Sequence, residues 1–231
     1  MSFFEDFISL FFPRLCYACD DALRKNEEVL CSICLNHLPK TDFHLKEDNP
    51  VAKLFWGRAH IHFATAYYYF HKGDKVQHLI HQMKYKNARQ IGIFIGEQMG
   101  IELKDALAFS SVDIIVPVPL HPKKQKLRGY NQSEMFGLGF SRGLGKPMKT
   151  NILYRKQFTE TQTRKTRSER WENVENVFAV HNPKEFTGKH LLLVDDVITT
   201  GSTLEACVHA LGTIPQAKIS IAAMATALKD V

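Results

Sequence analysis

Two acidic residues and a hydroxyl-rich turn follow one another in the stretch Leu191 to Cys207, LLLVDDVITTGSTLEAC. Asp195 and Asp196 supply carboxylates that can accept hydrogen bonds from a vicinal diol, as the acidic residue of a dinucleotide fold does for ribose. Thr199, Thr200, Ser202 and Thr203 add hydroxyl donors, and Gly201 lets the chain come close to a ligand. A helix opening at this point would aim unpaired N–H groups and the positive end of its dipole at an anion. The stretch therefore offers a diol end and a phosphate end, as a phosphorylated sugar requires. Each half alone is equally an exposed acidic turn or an ordinary N-cap; both together, directly after an apolar strand, are more specific. A GxxxxGK[ST] phosphate loop is excluded, because its lysine is missing.

A second constellation lies near the start of the chain. Cys16 and Cys19 form one CxxC knuckle, Cys31 and Cys34 another, with eleven residues between them. Four thiolates in this arrangement can close tetrahedrally around Zn²⁺, as a structural site with no open position for catalysis. Reduced or redox-active thiols are the alternative. The spacer is long enough for a small hairpin containing Arg24 to Val29. Cys207, in the helix expected after the hydroxyl turn, reads as a small core residue. None of the eleven histidines has convincing metal spacing.

Charge is unevenly spread. Between His121 and Arg170 there are thirteen Lys and Arg against three Glu, although the whole chain carries only +6, so the remainder is net acidic. Such concentration favours a polyanion, pyrophosphate or nucleic acid, as the ligand of that region. Apolar content of 45% and charged content of 23% are those of a globular protein. No apolar run is long enough for a membrane span. The first residues, MSFFEDFISLFFPRL, carry Glu5 and Asp6 where a signal peptide would be basic, and predict a short amphipathic helix over Phe3 to Phe12.

These groups need elements to position them. Leu191 to Val194 reads as a buried parallel strand that the acidic pair ends, with a helix opening around Thr199 to Thr203. Thr41 to Arg58 reads as a linker and ATAYYYF, Ala64 to Phe70, as a strand. Asp74 starts a helix with Val76, Leu79, Ile80 and Met83 on one face, leading into Lys84-Tyr85-Lys86, which either meets a base or phosphate or is a solvated helix end. A further helix is predicted from Ala88 to Lys104. Asp113 to Pro119 is a buried strand, followed by an irregular basic loop (Lys123, Lys124, Lys126, Arg128), a turn at Gly129 and a helix over Gln132 to Arg142. A second basic arm, Arg155 to Arg170, precedes a short helix from Trp171 and a strand over Asn176 to Val180; Lys218 to Ala225 is the last strand. Alternating strands and helices predict an α/β fold with a mainly parallel sheet flanked by helices, and ligands outside the carboxyl ends of its strands.

VDDVITTGST closely resembles the phosphoribosyl pyrophosphate (PRPP) motif of type I phosphoribosyltransferases. The order CYAC…CSIC, MKYKNA, VPVPLHPKKQKLRGYNQSE, TETQTRKTRSERWENVENVF and LLLVDDVITTGST resembles the ComF family over nearly the entire chain. That resemblance implies a type I phosphoribosyltransferase-like domain over residues 59–231 and a small zinc-ribbon-like module with its linker over residues 1–58. It implies that Asp195 and Asp196 hold ribose hydroxyls and that Thr199, Thr200, Gly201, Ser202 and Thr203 hold the 5′-phosphate. Arg128, Tyr130, Asn131 and Gln132 would line the pyrophosphate or acceptor side, with Mg²⁺ on the substrate. Family proteins are cytoplasmic and associated with natural transformation, so single-stranded DNA and a competence helicase are the implied partners; the acceptor is not established. A single-stranded-DNA-binding adaptor or a PRPP sensor on the same fold is the alternative to an enzyme.

Overall fold

A computed structural model describes residues 12–156 and 177–228. The helix expected over Phe3 to Phe12 and the basic arm beyond Lys156, with Trp171, lie outside the described residues, Phe12 apart. The helices are α1 (Ser32–His37), α2 (Pro50–Lys53), α3 (Lys75–Tyr85), α4 (Arg89–Leu103), α5 (Leu107–Ser110), α6 (Pro122–Arg128), α7 (Gln132–Leu144) and α8 (Ser202–Leu211). The strands are β1 (Phe63–Tyr69), β2 (Ile114–Pro117), β3 (Leu153–Arg155), β4 (Phe178–Val180), β5 (His190–Ile198) and β6 (Lys218–Thr226).

Four strands form one parallel sheet in the order β1-β6-β5-β2, and β3 and β4 pair antiparallel beside it. Leu191, Leu192, Leu193 and Val194 are fully buried because both faces of β5 are covered. Leu191 and Leu193 pack into the cluster that holds Leu204, Cys207 and Leu211 of α8; Leu192 and Val194 pack into the one that holds Ile91, Ile95, Phe136 and Phe140 of α4 and α7. Burying each such side chain contributes about 1.5–3 kcal/mol. This is the parallel sheet flanked by helices that the strand–helix alternation predicts.

β5 does not stop at Val194. It runs through the acidic pair to Ile198, with Asp195 opposite Ala223 and Val197 opposite Ala225. The basic stretch expected as an irregular loop is helical: α6 carries Pro122 at its start, is capped by the His121 ring accepting from Lys123 N, and ends at Gly129 with φ 75°. The helix over Lys75–Tyr85 forms as expected, with Asp74 accepting from Gln77 N and Val76, Leu79, Ile80 and Met83 all buried.

Thr41 to Arg58 is packed rather than loose. Thr41 Oγ1 donates to Ala66 O at 2.5 Å, and the buried Asn49 side chain donates to Phe43 O, Lys46 O and Ala64 O while capping α2. Phe43 and Phe55 are fully buried. A sequence this short of apolar periodicity folds down because buried polar side chains satisfy its backbone. The cysteine-bearing segment also shares its core with the sheet domain: Cys16, Cys31, Cys34, Leu30 and Leu38 belong to the same apolar cluster as Val76, Leu79 and Met83.

Candidate functional site

At the carboxyl ends of β2 and β5 lies a cleft of 510 Å³. Asp195, Asp196, Thr199 and Thr203 line it from the β5–α8 side, and Arg128, Gln132 and Ser133 from the α6–α7 side. Beyond the acidic pair, the turn from Val197 to Leu204 closes a smaller cup of 50 Å³. Gly201, at φ 74°, is the N-cap of α8 and has no side chain with which to cap it. The first N–H groups of α8 are therefore left for a ligand. Thr200 and Ser202 bring their hydroxyls within 3.1 Å of each other at the rim.

The cup is braced from the segment that reads as a linker. A Cβ at Gly201 would meet the Phe55 ring at 3.4 Å and Leu54 at 3.5 Å. Arg58 donates to Thr200 O at 3.4 Å and forms an ion pair with Glu205, so the turn is held by both packing and charge.

The two carboxylates are held differently. Asp195 Oδ1 accepts from Ser133 Oγ at 2.7 Å and from Asp196 N at 2.9 Å. Burial, and then the charge of Asp196, push its carboxyl up to about 7. Asp196 Oδ2 lies 2.7 Å from Lys84 Nζ. A pair of adjacent carboxylates thus survives in a half-buried place because one has neutral donors and the other a cation.

On the facing side, Arg128 Nη1 donates to Gln132 Oε1 at 2.8 Å, which turns the other end of that amide away. Gln132 is 1% exposed, lines the cleft, and its Nε2 has no partner among the described residues. A buried donor left unpaired costs about 1–3 kcal/mol, which a ligand acceptor would recover. Gln132 also opens α7, a second helix N-terminus at the same cleft. Tyr130 and Asn131 sit differently. Tyr130 is 6% exposed and its hydroxyl donates to Met83 O; Asn131 caps α7 through Ser133 N and donates to Val118 O. Their polar atoms are used within the fold.

Lys84, His121, Lys124, Ser133 and Arg155 line the cleft; the Lys84-Tyr85-Lys86 triplet offers Lys84 as a phosphate or base contact, whereas nothing in the sequence assigns His121 or Ser133 a role of its own. Ser133 lies 62 residues from Asp195, and nothing local marks the pairing. Tyr85 is 63% exposed beside the cleft, with the Arg128 guanidinium 5.8 Å from its ring. Cys207 is fully buried in the core, where burial pushes its thiol up.

The four N-terminal cysteines come together, their sulfurs all within 4.8 Å of one another and Cys19 Sγ 3.7 Å from Cys31 Sγ. Sulfurs at corners of a tetrahedron with Zn–S near 2.3 Å are about 3.8 Å apart, so the donor set fits a metal such as zinc. The spacer closes as a turn, Glu27 accepting from Arg24 N and Ser32 N, and Cys31 caps α1. Lys75 Nζ donates to Cys34 Sγ at 3.3 Å. No helix among the described residues is long and apolar enough to cross a membrane.

The phosphoribosyl transferase domain model matches residues 137–230. Competence protein F of Haemophilus influenzae is 36% identical over 130 residues, 54% of this chain and 57% of that protein, so this alignment spans little more than half of the relative. The DNA utilization protein YhgH of Escherichia coli is 29% identical over 208 residues, 83% of this chain and 88% of its own. Among solved structures, a purine phosphoribosyltransferase from Pyrococcus horikoshii superimposes with a TM-score of 0.38 and 19% identity, over 62% of this chain and 77% of that one.

Proposed function

We propose, from the premise that this chain belongs to the ComF family of phosphoribosyltransferase-like proteins, that it binds PRPP with Mg²⁺ in the cleft at the end of β5. The observation that carries this reading is the meeting of two helix N-termini with an acidic pair between them. The cup at Thr199, Thr200, Gly201, Ser202 and Thr203 suits the 5′-phosphate, Asp195 and Asp196 suit the ribose hydroxyls, and the α7 end with Arg128 and the unpaired Gln132 donor suits the pyrophosphate. Two carboxylates are few ligands for a metal ion, which fits Mg²⁺, an ion that keeps waters and binds through substrate phosphates. Bound there, it would neutralise charge on the pyrophosphate. Lys124 and Arg155 would add cationic stabilisation as the bond from the anomeric carbon to pyrophosphate lengthens.

The test is calorimetry with PRPP and Mg²⁺. Asp195→Asn with Asp196→Asn is expected to abolish measurable binding, and unchanged affinity in the double variant would sink the assignment. Release of pyrophosphate on adding candidate acceptors separates an enzyme from a sensor, since pyrophosphate leaves only when a nucleophile replaces it at the anomeric carbon.

A role in natural transformation follows from the names of the relatives, and the exposed face of α6 favours single-stranded DNA as a second ligand. Lys123, Lys124 and Lys126 are exposed there, and Tyr85 stands nearby as a stacking surface. This reading expects affinity to fall steeply with salt and to weaken on Lys123→Ala, Lys124→Ala and Lys126→Ala; a flat salt response removes it. The helicase partner and cytoplasmic location belong to the same reading. We assign the four-cysteine site to structural Zn²⁺, testable by metal analysis of the purified protein.

A further inference from the structure

Lys84 sits in the last turn of α3, where the helix dipole favours a cation. Its side chain is 22% exposed and that of Asp196 15%, so the ion pair is largely withdrawn from water yet borders the cleft. An ammonium carries three donors on a flexible stem and can hold a carboxylate and a second acceptor at once. Asp195 is held instead by the Ser133 hydroxyl and a backbone N–H. A divalent ion approaching the acidic pair would meet an oxygen already engaged by a positive charge and would be repelled by it.

We propose that Lys84 is the resident counter-cation of the acidic pair: it holds Asp196 in the free protein, keeps a bare divalent ion off that carboxylate, and turns to the phosphate oxygens of an incoming ligand that brings its own metal ion. The identity of that ligand rests on the PRPP reading; the exclusion of metal at Asp196 does not. Metal and ligand then enter together. Lys suits the role better than Arg, since a compact charge on a flexible stem can change partners while a planar fork is fitted to one.

The experiment measures Mn²⁺ binding without ligand, by water-proton relaxation at pH 8, in the wild type, Lys84→Gln, Lys84→Arg, and Lys84→Gln with Asp196→Asn. Lys84→Gln is expected to bind Mn²⁺ about tenfold more tightly than the wild type, a 1.4 kcal/mol change. Lys84→Arg keeps the charge and should stay near the wild type, and Asp196→Asn should erase the gain. If Lys84→Gln gains no Mn²⁺ affinity, or the gain survives Asp196→Asn, the proposal is overturned. In calorimetry with PRPP and Mg²⁺, Lys84→Gln should bind about tenfold more weakly, as expected on losing a charge-assisted donor. A wild type that gives no heat with PRPP removes the PRPP reading, while the Mn²⁺ comparison still decides the role of Lys84.

Discussion

Among the residues of the cleft, Asp195 brings a pH dependence into the neutral range. Its carboxyl is raised from 3.8 to about 7, chiefly by burial. Between those values the folded protein holds a proton that the unfolded chain has released, so this group's contribution to stability is complete below about pH 4 and is lost as pH rises through about 7. Asp195→Asn removes the titration. Its melting temperature relative to the wild type should therefore climb between pH 5 and pH 8, and a difference that stays constant across that range would show that Asp195 ionises normally. The residues of this site were unevenly legible. Both carboxylates and the hydroxyl turn stand in one contiguous run, and local order was enough to read them. Lys84 and Ser133 act through contacts with residues far along the chain, which spacing does not encode. Gln132 is marked only through the resemblance that RGYNQ carries, and its unpaired amide is a fact of burial alone.

At the scale of elements, the long helices are legible because their apolar faces repeat at 3.6 residues; α3, α4 and α7 fall close to their expected limits. Aspartate is a poor strand former, so local preference ends β5 at Val194; tertiary support from Ser133 and Lys84 overrides it and the strand runs to Ile198. The charges of α6 show no apolar face and so suggest irregular chain, yet a helix lying on the surface with no buried residue needs none. Helix contacts also set a constraint that periodicity hides. α4 and α7 meet through glycines, and a Cβ at Gly139 would lie 1.8 Å from Ile93 O, one at Gly96 2.1 Å from Phe136 O. Gly139→Ala must push the two backbones apart, at a cost of about 1–3 kcal/mol for overpacking, and more if the seam cannot yield. Urea unfolding measures it; a midpoint equal to the wild type's would mean that the helices separate freely. Because α7 carries Gln132 and Ser133, the same variant should also weaken PRPP binding.

For the molecule as a whole, the sequence divides more readily than the structure does. The cysteine segment and Thr41 to Arg58 read as an appendage and a linker, but their side chains enter the core, and those of Leu54, Phe55 and Arg58 brace the cup between Val197 and Leu204. No short-range pattern could have announced this, since Arg58 reaches Glu205 across 147 residues. α3 ties these parts together. Lys75 at its first turn touches the thiol of Cys34, and Lys84 at its last touches Asp196. An eleven-residue helix is a rod of about 16 Å, too stiff to let one end settle without the other. Zinc at the cysteines and PRPP in the cleft, once both are bound, would then be joined by a coupling free energy. Stripping the metal with a thiol-competing chelator should lower PRPP affinity, and equal affinities for the stripped and loaded protein would rule the coupling out. Reciprocity adds a second demand: PRPP must slow or weaken the loss of metal by the same equilibrium factor. A segment that looks like a structural clip would then report, through the firmness with which it keeps its ion, whether the distant cleft is filled.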